Sequence, residues 1–502
     1  MLRQWIERAA ARDPDKAFIV AAEDGRTLTY GQLRAATRRI ASYLREQGLG
    51  ANDRVALLSN NSIEHLIGYF GVLAYGAPIC TVHVEMNRNQ LDNIVPMLKP
   101  RLVLCGDGLG LDDLLAQVSA PCLPLGAFDD VRGDSFFAAV NRCEPGDAMA
   151  AAGADDSAVI LFTSGTSARP KGVVLSFREL LSNAGPTADG FGLTAQDRIY
   201  DFLSFNWCSA QTLSALPPLQ RGATLILGQK FSRSRFFEHI RQYGATIATG
   251  NPTTIGLLLN GDLPAAEVPT LRFVTSSSAP LAVDEWGRFE DRFGIRIAQG
   301  YGTSETGWIA AQPGEQRRLG TVGKPHGYHR LAIVSAEGEA LPPGETGAVE
   351  LGGFPDNNYR ILAEDGSIRL NDRGRMKTGD LGFLDEEGYL HLTGRAKEII
   401  IRGGVNISPV EIDQVLMQRP EVVEAAAVGV PDKLYGEEVV AYVVLRPGAA
   451  IGAEDILRHC AAALPAFKAP KRIVLSERLP KTERGKLDRK ALVARWSRDA
   501  RQ

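Results

Sequence analysis

The strongest chemical signal in this 502-residue chain is the segment Leu161–Gly172, LFTSGTSARPKG. An apolar strand opens there into hydroxyls and glycine and ends on Lys171. Small residues let backbone amides approach anionic oxygens, hydroxyls donate to them, and the lysine adds positive charge, so the segment suits phosphate. It is not a Walker A loop, because Gly172 stands where that loop has serine or threonine after its lysine. Taken alone, the same residues also read as a Ser/Thr-rich surface turn. Further along, Tyr301-Gly302-Thr303-Ser304-Glu305 is expected where a strand through Ile295-Arg296-Ile297 ends. Thr378-Gly379-Asp380 is followed by Gly394-Arg395, and LPKTERGKLDRKAL from Leu479 carries Lys486 after Gly485. A carboxylate such as Asp380 accepts two hydroxyl hydrogen bonds well. Singly, a Gly-Asp pair is more often a turn, and a late lysine a solvated basic tail.

Taken in order, these segments resemble the adenylate-forming superfamily of acyl-CoA synthetases, peptide-synthetase adenylation domains and beetle luciferases. The family's phosphate loop reads TSGTTGxPKG; here Ser167 replaces the second of the paired threonines and Ala168 the next glycine. Thr27-Leu28-Thr29-Tyr30 is similar to an early TLTY segment, while GRAKEIIIRGGVNISPVEI from Gly394 and VGVPDKLYGEEVVAYVV from Val428 extend the likeness to the end. The stretch Phe354 to Met376 departs from the usual tyrosine- and tryptophan-rich pattern.

The resemblance implies ATP, Mg2+ and coenzyme A as co-reactants. It implies that Thr163, Ser164, Gly165, Thr166, Ser167 and Lys171 hold phosphates and that Ser278-Ala279-Pro280 lies beside adenine. Tyr301 would lie against adenine, with Gly302 in its turn, Thr303 or Ser304 on phosphate, and Glu305 ligating magnesium, a hard cation suited to carboxylate and phosphate oxygens. Asp380 would take the ribose hydroxyls with Arg395 nearby, and Lys397 would be the hinge of a swinging small domain. Lys486 would meet the charge that develops as a carboxylate attacks the α-phosphate. Arg402-Gly403-Gly404 would line a thiol channel, its glycines permitting close passage of a pantetheine arm; a plain turn is the simpler alternative. Trp207 falls at an aromatic gate of the acyl pocket that is often histidine, where it either floors a pocket or fills core volume. The run Trp207-Cys208-Ser209-Ala210 has no acid, which argues against an α-amino acid substrate.

The expected reaction is activation of a carboxylic acid as an acyl-adenylate with release of pyrophosphate, then transfer to coenzyme A. The alternatives are loading of a separate carrier protein, a luciferase-like oxidase, and an inactive nucleotide-binding protein, the last opposed by retention of Lys486 and Glu305.

The elements that must position these residues read as α/β. Leu33, Ala36, Ile40 and Leu44 recur at helical spacing before Gly48, and Arg54–Leu58 reads as a buried strand. Apolar runs at Val103–Cys105, Val159–Phe162, Thr224–Leu227 and Thr246–Ala248 alternate with helix-like stretches, the pattern of mostly parallel sheets. After the turn Asp385–Gly388 comes a short strand Tyr389–Leu392 and a candidate linker Gly394–Glu398. Ser408-Pro409-Val410-Glu411 has capping-box spacing with proline at the first helical position, predicting a helix towards Gln418. The chain exceeds what one core supports. The division that the resemblance implies is 1–396, a large N-terminal domain of α/β layers with a barrel-like portion, and 397–502, a small mobile α+β domain.

Composition sets the remaining bounds. The 44% hydrophobic and 23% charged content is that of a globular protein, and a net charge of -3 gives no basic field for nucleic acid or an anionic membrane. The polar start MLRQWIERAAARDPDKAF has no signal-peptide core, and no stretch reaches membrane-spanning length, so the expected location is cytoplasmic. Six scattered cysteines and seven histidines show neither zinc nor disulfide spacing, so buried thiols and structural histidines are expected.

Overall fold

A computed structural model describes residues 2–163, 171–259, 267–312, 317–353, 359–370, 375–482 and 486–499. Within these residues the strands form sheets of nine, eight, four and five strands. The nine-stranded sheet has a parallel interior, running Arg296–Thr303, Phe273–Ser276, Ile247–Ala248, Arg198–Asp201, Thr224–Leu227 and Ala17–Ala21, with antiparallel strands at both ends. The eight-stranded sheet is parallel through Ser157–Thr163, Ile79–Val82, Val55–Leu58, Leu102–Cys105 and Cys122–Pro124, and antiparallel where Lys171–Ser176 folds back on Ser157–Thr163. Buried strands with continuous apolar runs need helices on their faces. Ile63–Tyr75, buried along its whole length, provides one such cover.

The TLTY segment has a local task. The Thr29 hydroxyl accepts from Gln32 N and the Gln32 side chain accepts from Thr29 N, a capping box that starts helix Tyr30–Glu46. The barrel-like portion is an antiparallel sheet of His329–Val334, Gly347–Gly353, Met376–Leu384 and Leu390–Arg395. The small C-terminal domain wraps Val405–Ile407, Ile400–Arg402, Gly436–Leu445, Val422–Asp432 and Arg472–Leu475 around its own core with helices Pro409–Met417 and Ala453–Ala463.

Several expectations change. Strand Arg296–Thr303 does not end before Tyr301 but carries it, turning back as Gly307–Ala311. The turn depends on glycine: a Cβ on Gly302 would lie 2.5 Å from Gly307 O, and Gly307 has φ +72°. Gly394 and Arg395 belong to a strand paired with Asp380 and Leu381, so only the short turn Ala396–Glu398 is left of the expected linker. The helix at Pro409 has proline at its start but no capping box. The Ser408 hydroxyl donates to Thr393 O and Glu411 is taken by Lys468 at 2.8 Å. Only Cys80, Cys208 and Cys460 are buried thiols; Cys105, Cys122 and Cys143 are half-buried, and all six are free. His65, His326 and His329 are buried and pushed down to about 4 by that burial, neutral residents of the core.

Candidate active site

The predicted residues that the structure describes fall at strand ends, hairpins and turns. Parallel strands present ligands outside their carboxyl ends. Thr163 pairs with Lys171 across the base of the hairpin that carries the predicted phosphate loop. Ser164, Gly165, Thr166 and Ser167 lie outside the described residues. Lys171 is exposed at the hairpin edge, and Gly172 is locked below it, since a Cβ there would lie 2.7 Å from Leu362 Cβ.

After strand Phe273–Ser276 the chain enters Ser277-Ser278-Ala279-Pro280. Ser278 has φ +73°, a left-handed conformation that costs a residue with a side chain energy and concentrates at functional loops. This gives the segment more structural distinction than a plain Ser/Pro turn.

The tightest polar cluster joins two sheets. The Tyr301 hydroxyl donates to Asp380 Oδ2 at 2.6 Å, and Arg395 Nε donates to Asp380 Oδ1 at 2.7 Å. Asp380 itself is buried, and Arg395 stands opposite it in register. Burial, then Asp380, push the Tyr301 phenol far above its ordinary range, so it stays a donor. Burial works against the Arg395 charge, yet Asp380 raises it overall. Each Asp380 oxygen keeps a lone pair for further donors.

Lys397 follows directly in the turn Ala396–Glu398, and its ammonium is lowered by burial, by Arg395 and by Lys490. Lys486 sits at the end of a hairpin-like loop closed by Thr482 N to Lys486 O at 2.7 Å and Asp488 N to Pro480 O at 2.9 Å. Arg402 makes two bonds to Glu438, at 2.6 and 3.0 Å, and stacks 4.0 Å from the Tyr435 ring centroid. Gly403 and Gly404 have φ of +57° and +84°, and a Cβ on Gly404 would meet nothing within 4 Å.

Glu305 is half-exposed in the turn after Thr303, beside the Thr303 and Thr306 hydroxyls, which are 3.0 Å apart. These are hard oxygen donors and fit Mg2+. Among the described residues no group of three or more His, Cys, Asp or Glu is placed to hold a metal, so the donor set suits an ion carried mainly by nucleotide phosphates.

Trp207 lies at the start of helix Cys208–Ala210 and stacks on His83, centroids 4.9 Å apart and planes 12° from parallel. Sequence reasoning missed what holds this loop. Asn61 donates to Leu203 O and Gly228 O and accepts from Phe205 N, at 2.9 to 3.0 Å. Gln211, fully buried, donates to Phe205 O and Thr81 and accepts from Tyr69. The next residues, Gln211–Ala215, form a π-turn, a geometry common at functional sites. Asp201, also missed, lies fully buried below, accepting from Thr249 Oγ1 and Leu203 N. The Asn61 partners, and Thr81 and Tyr69 for Gln211, lie more than a hundred residues away in sequence and leave no local signal.

Residues 6–354 match the sequence model of the family described as AMP-binding enzyme, and residues 411–486 match that of the AMP-binding enzyme C-terminal domain. The chain belongs to the AMP-binding enzyme family. Among its curated relatives is sulfoacetate–CoA ligase of Cupriavidus necator, 32% identical, with 98% of this chain and 97% of that protein covered. Oxalate–CoA ligase of Arabidopsis thaliana is 32% identical with 97% of each covered, and indoleacetate–CoA ligase of Aromatoleum aromaticum is 34% identical with 98% of each covered. Among solved structures, ATP-bound MatB from Rhodopseudomonas palustris superposes with a TM-score of 0.88 at 28% identity, covering 100% of both chains. This AMP-binding enzyme therefore has the two-part architecture that its sequence pattern predicted. Among its described residues, no helix is long and apolar enough to cross a membrane.

Proposed function

We propose that this AMP-binding enzyme is an acid–thiol ligase that uses ATP to activate a small carboxylic acid and passes the acyl group to coenzyme A. The observation that carries this reading is that relatives named for chemically different acids are all CoA ligases and cover the chain from end to end. Because the named acids differ, the acid used here is left to the acyl loop around Trp207 and His83.

In this reading Asp380, pre-oriented by Tyr301 and Arg395, takes the ribose hydroxyls, and Tyr301 lies against adenine beside Ser278-Ala279-Pro280. Lys171 and the hydroxyls from Thr163 to Ser167 receive the β- and γ-phosphates. Glu305 would hold Mg2+ with the phosphates, and the ion would neutralise charge on the departing pyrophosphate. Lys486 stabilises negative charge as the carboxylate oxygen attacks the α-phosphorus, pyrophosphate leaves, and a mixed anhydride forms. The thiol of coenzyme A then attacks the acyl carbon, losing its proton, and AMP departs. For this second step the domain 397–502 turns about Lys397, bringing Arg402-Gly403-Gly404 against the acyl-adenylate.

The test is carboxylate-dependent ATP–pyrophosphate exchange across oxalate, sulfoacetate, indoleacetate, benzoate and linear acids, followed by a thioester assay with coenzyme A. Exchange for one acid class followed by a CoA thioester supports the reading. Exchange without a thioester points to a carrier protein, and no exchange with any acid overturns it.

A further inference from the structure

Arg489 begins the last described helix, Arg489–Asp499, three residues beyond Lys486. Its guanidinium reaches three separate elements. One amino group donates to Ala427 O at 2.6 Å, in strand Val422–Asp432. The other is bonded to Asp413 Oδ2, in helix Pro409–Met417, and Nε lies 3.4 Å from Glu398 Oε2, in the turn that contains Lys397. Asp413 closes the set by accepting from Ala427 N at 2.6 Å. The Arg489 side chain is 13% exposed, and Asp413 and Glu398 are 16% and 32% exposed. The neighbouring Lys490 lies close enough to Lys397 to lower its ammonium. A planar guanidinium with fixed donors can join three acceptors at once, which a lysine cannot do with the same geometry.

The base of the Lys486 loop is thus tied directly to the hinge turn. Both the Thr482–Lys486 and Pro480–Asp488 backbone bonds close that loop just before Arg489, so movement of the arginine moves the lysine. We propose that Arg489 is a positioning residue for adenylation, joining Glu398 at the hinge to Asp413 so that Lys486 is delivered to the α-phosphate in one orientation of the small domain. Its action is through Lys486, and it rests on the assignment of Lys486 made above. The thioester step, which under the proposed function uses Arg402-Gly403-Gly404 in place of Lys486, does not need it.

The experiment separates the half-reactions. Pyrophosphate exchange measures adenylation, and thioester formation from a synthetic acyl-adenylate of the best acid in the panel measures transfer to coenzyme A. Since removing Arg489 outright exposes buried carboxylates and can unfold the domain, the variants are Arg489→Lys and Glu398→Gln. Glu398→Gln leaves the Arg489–Asp413 pair intact and weakens only the hinge arm. Misplacement of a catalytic group by about an ångström costs on the order of 100-fold. Expected are exchange rates lowered by about 100-fold for Arg489→Lys and about tenfold for Glu398→Gln, with transfer from supplied adenylate unchanged within about twofold. Parallel loss of both half-reactions, or no loss of exchange in either variant, overturns the proposal. Lys486→Ala is run beside them. Retained exchange in that variant overturns the Lys486 assignment and this proposal together, whereas lost exchange beside unaffected Arg489→Lys and Glu398→Gln overturns this proposal alone.

Discussion

The region proposed to hold the nucleotide and the region proposed to hold the acid are built on opposite plans. At Asp380 two strong partners, Tyr301 and Arg395, hold one carboxylate that keeps lone pairs for further donors. Around Trp207 the polar groups hold the chain itself: Asn61 and Gln211 bond to loop backbone and to Thr81 and Tyr69. The first plan fixes the direction of one carboxylate. The second fixes a backbone path, and under the proposed function it leaves the surface that meets the acid to a few side chains.

If that contrast is right, damage on the nucleotide side is large and independent of the acid. The largest effect is expected for Lys486→Ala, which removes charge stabilisation at the reacting phosphorus and should lower pyrophosphate exchange by about 1000-fold for every acid tested. Asp380→Ala comes next. It leaves the buried Tyr301 hydroxyl and the half-exposed Arg395 guanidinium without their shared acceptor, a loss of about 1–3 kcal/mol. The checks are a thermal melt and the KM for ATP, with a lower Tm and a raised KM that do not vary with the acid. A loss confined to one acid would place Asp380 in the acyl pocket and break the comparison.

The two plans were also unequally legible in the sequence. The nucleotide residues stand in contiguous motifs, where glycine, lysine and hydroxyls at fixed spacing imply one chemistry. The acyl loop was visible only as Trp207, because its supports are an asparagine and a glutamine whose partners are remote in sequence and whose residue types serve many ends. Local rules failed where tertiary partners outbid them. Ser408 had the spacing of a cap, but Thr393 O and Lys468 offered Ser408 and Glu411 other bonds. Strand Arg296–Thr303 ran past its expected end because Gly302 and Gly307 let a hairpin close tightly. Ser278 shows the converse, a conformation usual for glycine adopted by serine, which no pattern of residue types foretold.

On the acyl side, Asn61→Ala sharpens the comparison. It strands Leu203 O, Gly228 O and Phe205 N, each a buried or half-buried group, at a cost of about 2–3 kcal/mol in stability. The loop that carries Trp207 then loosens. The expected result is about a tenfold rise in KM for the acid with KM for ATP unchanged within about twofold. Equal changes in both constants would mean that the loop serves the nucleotide as well.

The smallest effect concerns Asp201, the buried carboxyl beneath the loop. Burial pushes its pKa up to about 6, against the pull of Ser214, Thr249 and two backbone amides. The unfolded value is near 4. Below pH 4 the group is protonated in both states and folding is unaffected by it. Between pH 4 and 6 the folded state holds the proton more tightly, and above pH 6 the folded protein must carry a buried charge, so stability falls as pH rises through this window. Two pKa units correspond to about 3 kcal/mol at pH 8. Asp201→Asn keeps an oxygen for Thr249 and Leu203 and turns an amide towards the Ser214 hydroxyl. The variant should therefore gain stability at pH 8, by at most that amount, and gain little at pH 4, as read from urea midpoints at the two values. A variant equally destabilised at both would show that the carboxylate is held ionised by partners the asparagine cannot replace, making Asp201 a counterpart of Asp380 and removing the contrast between the two sides.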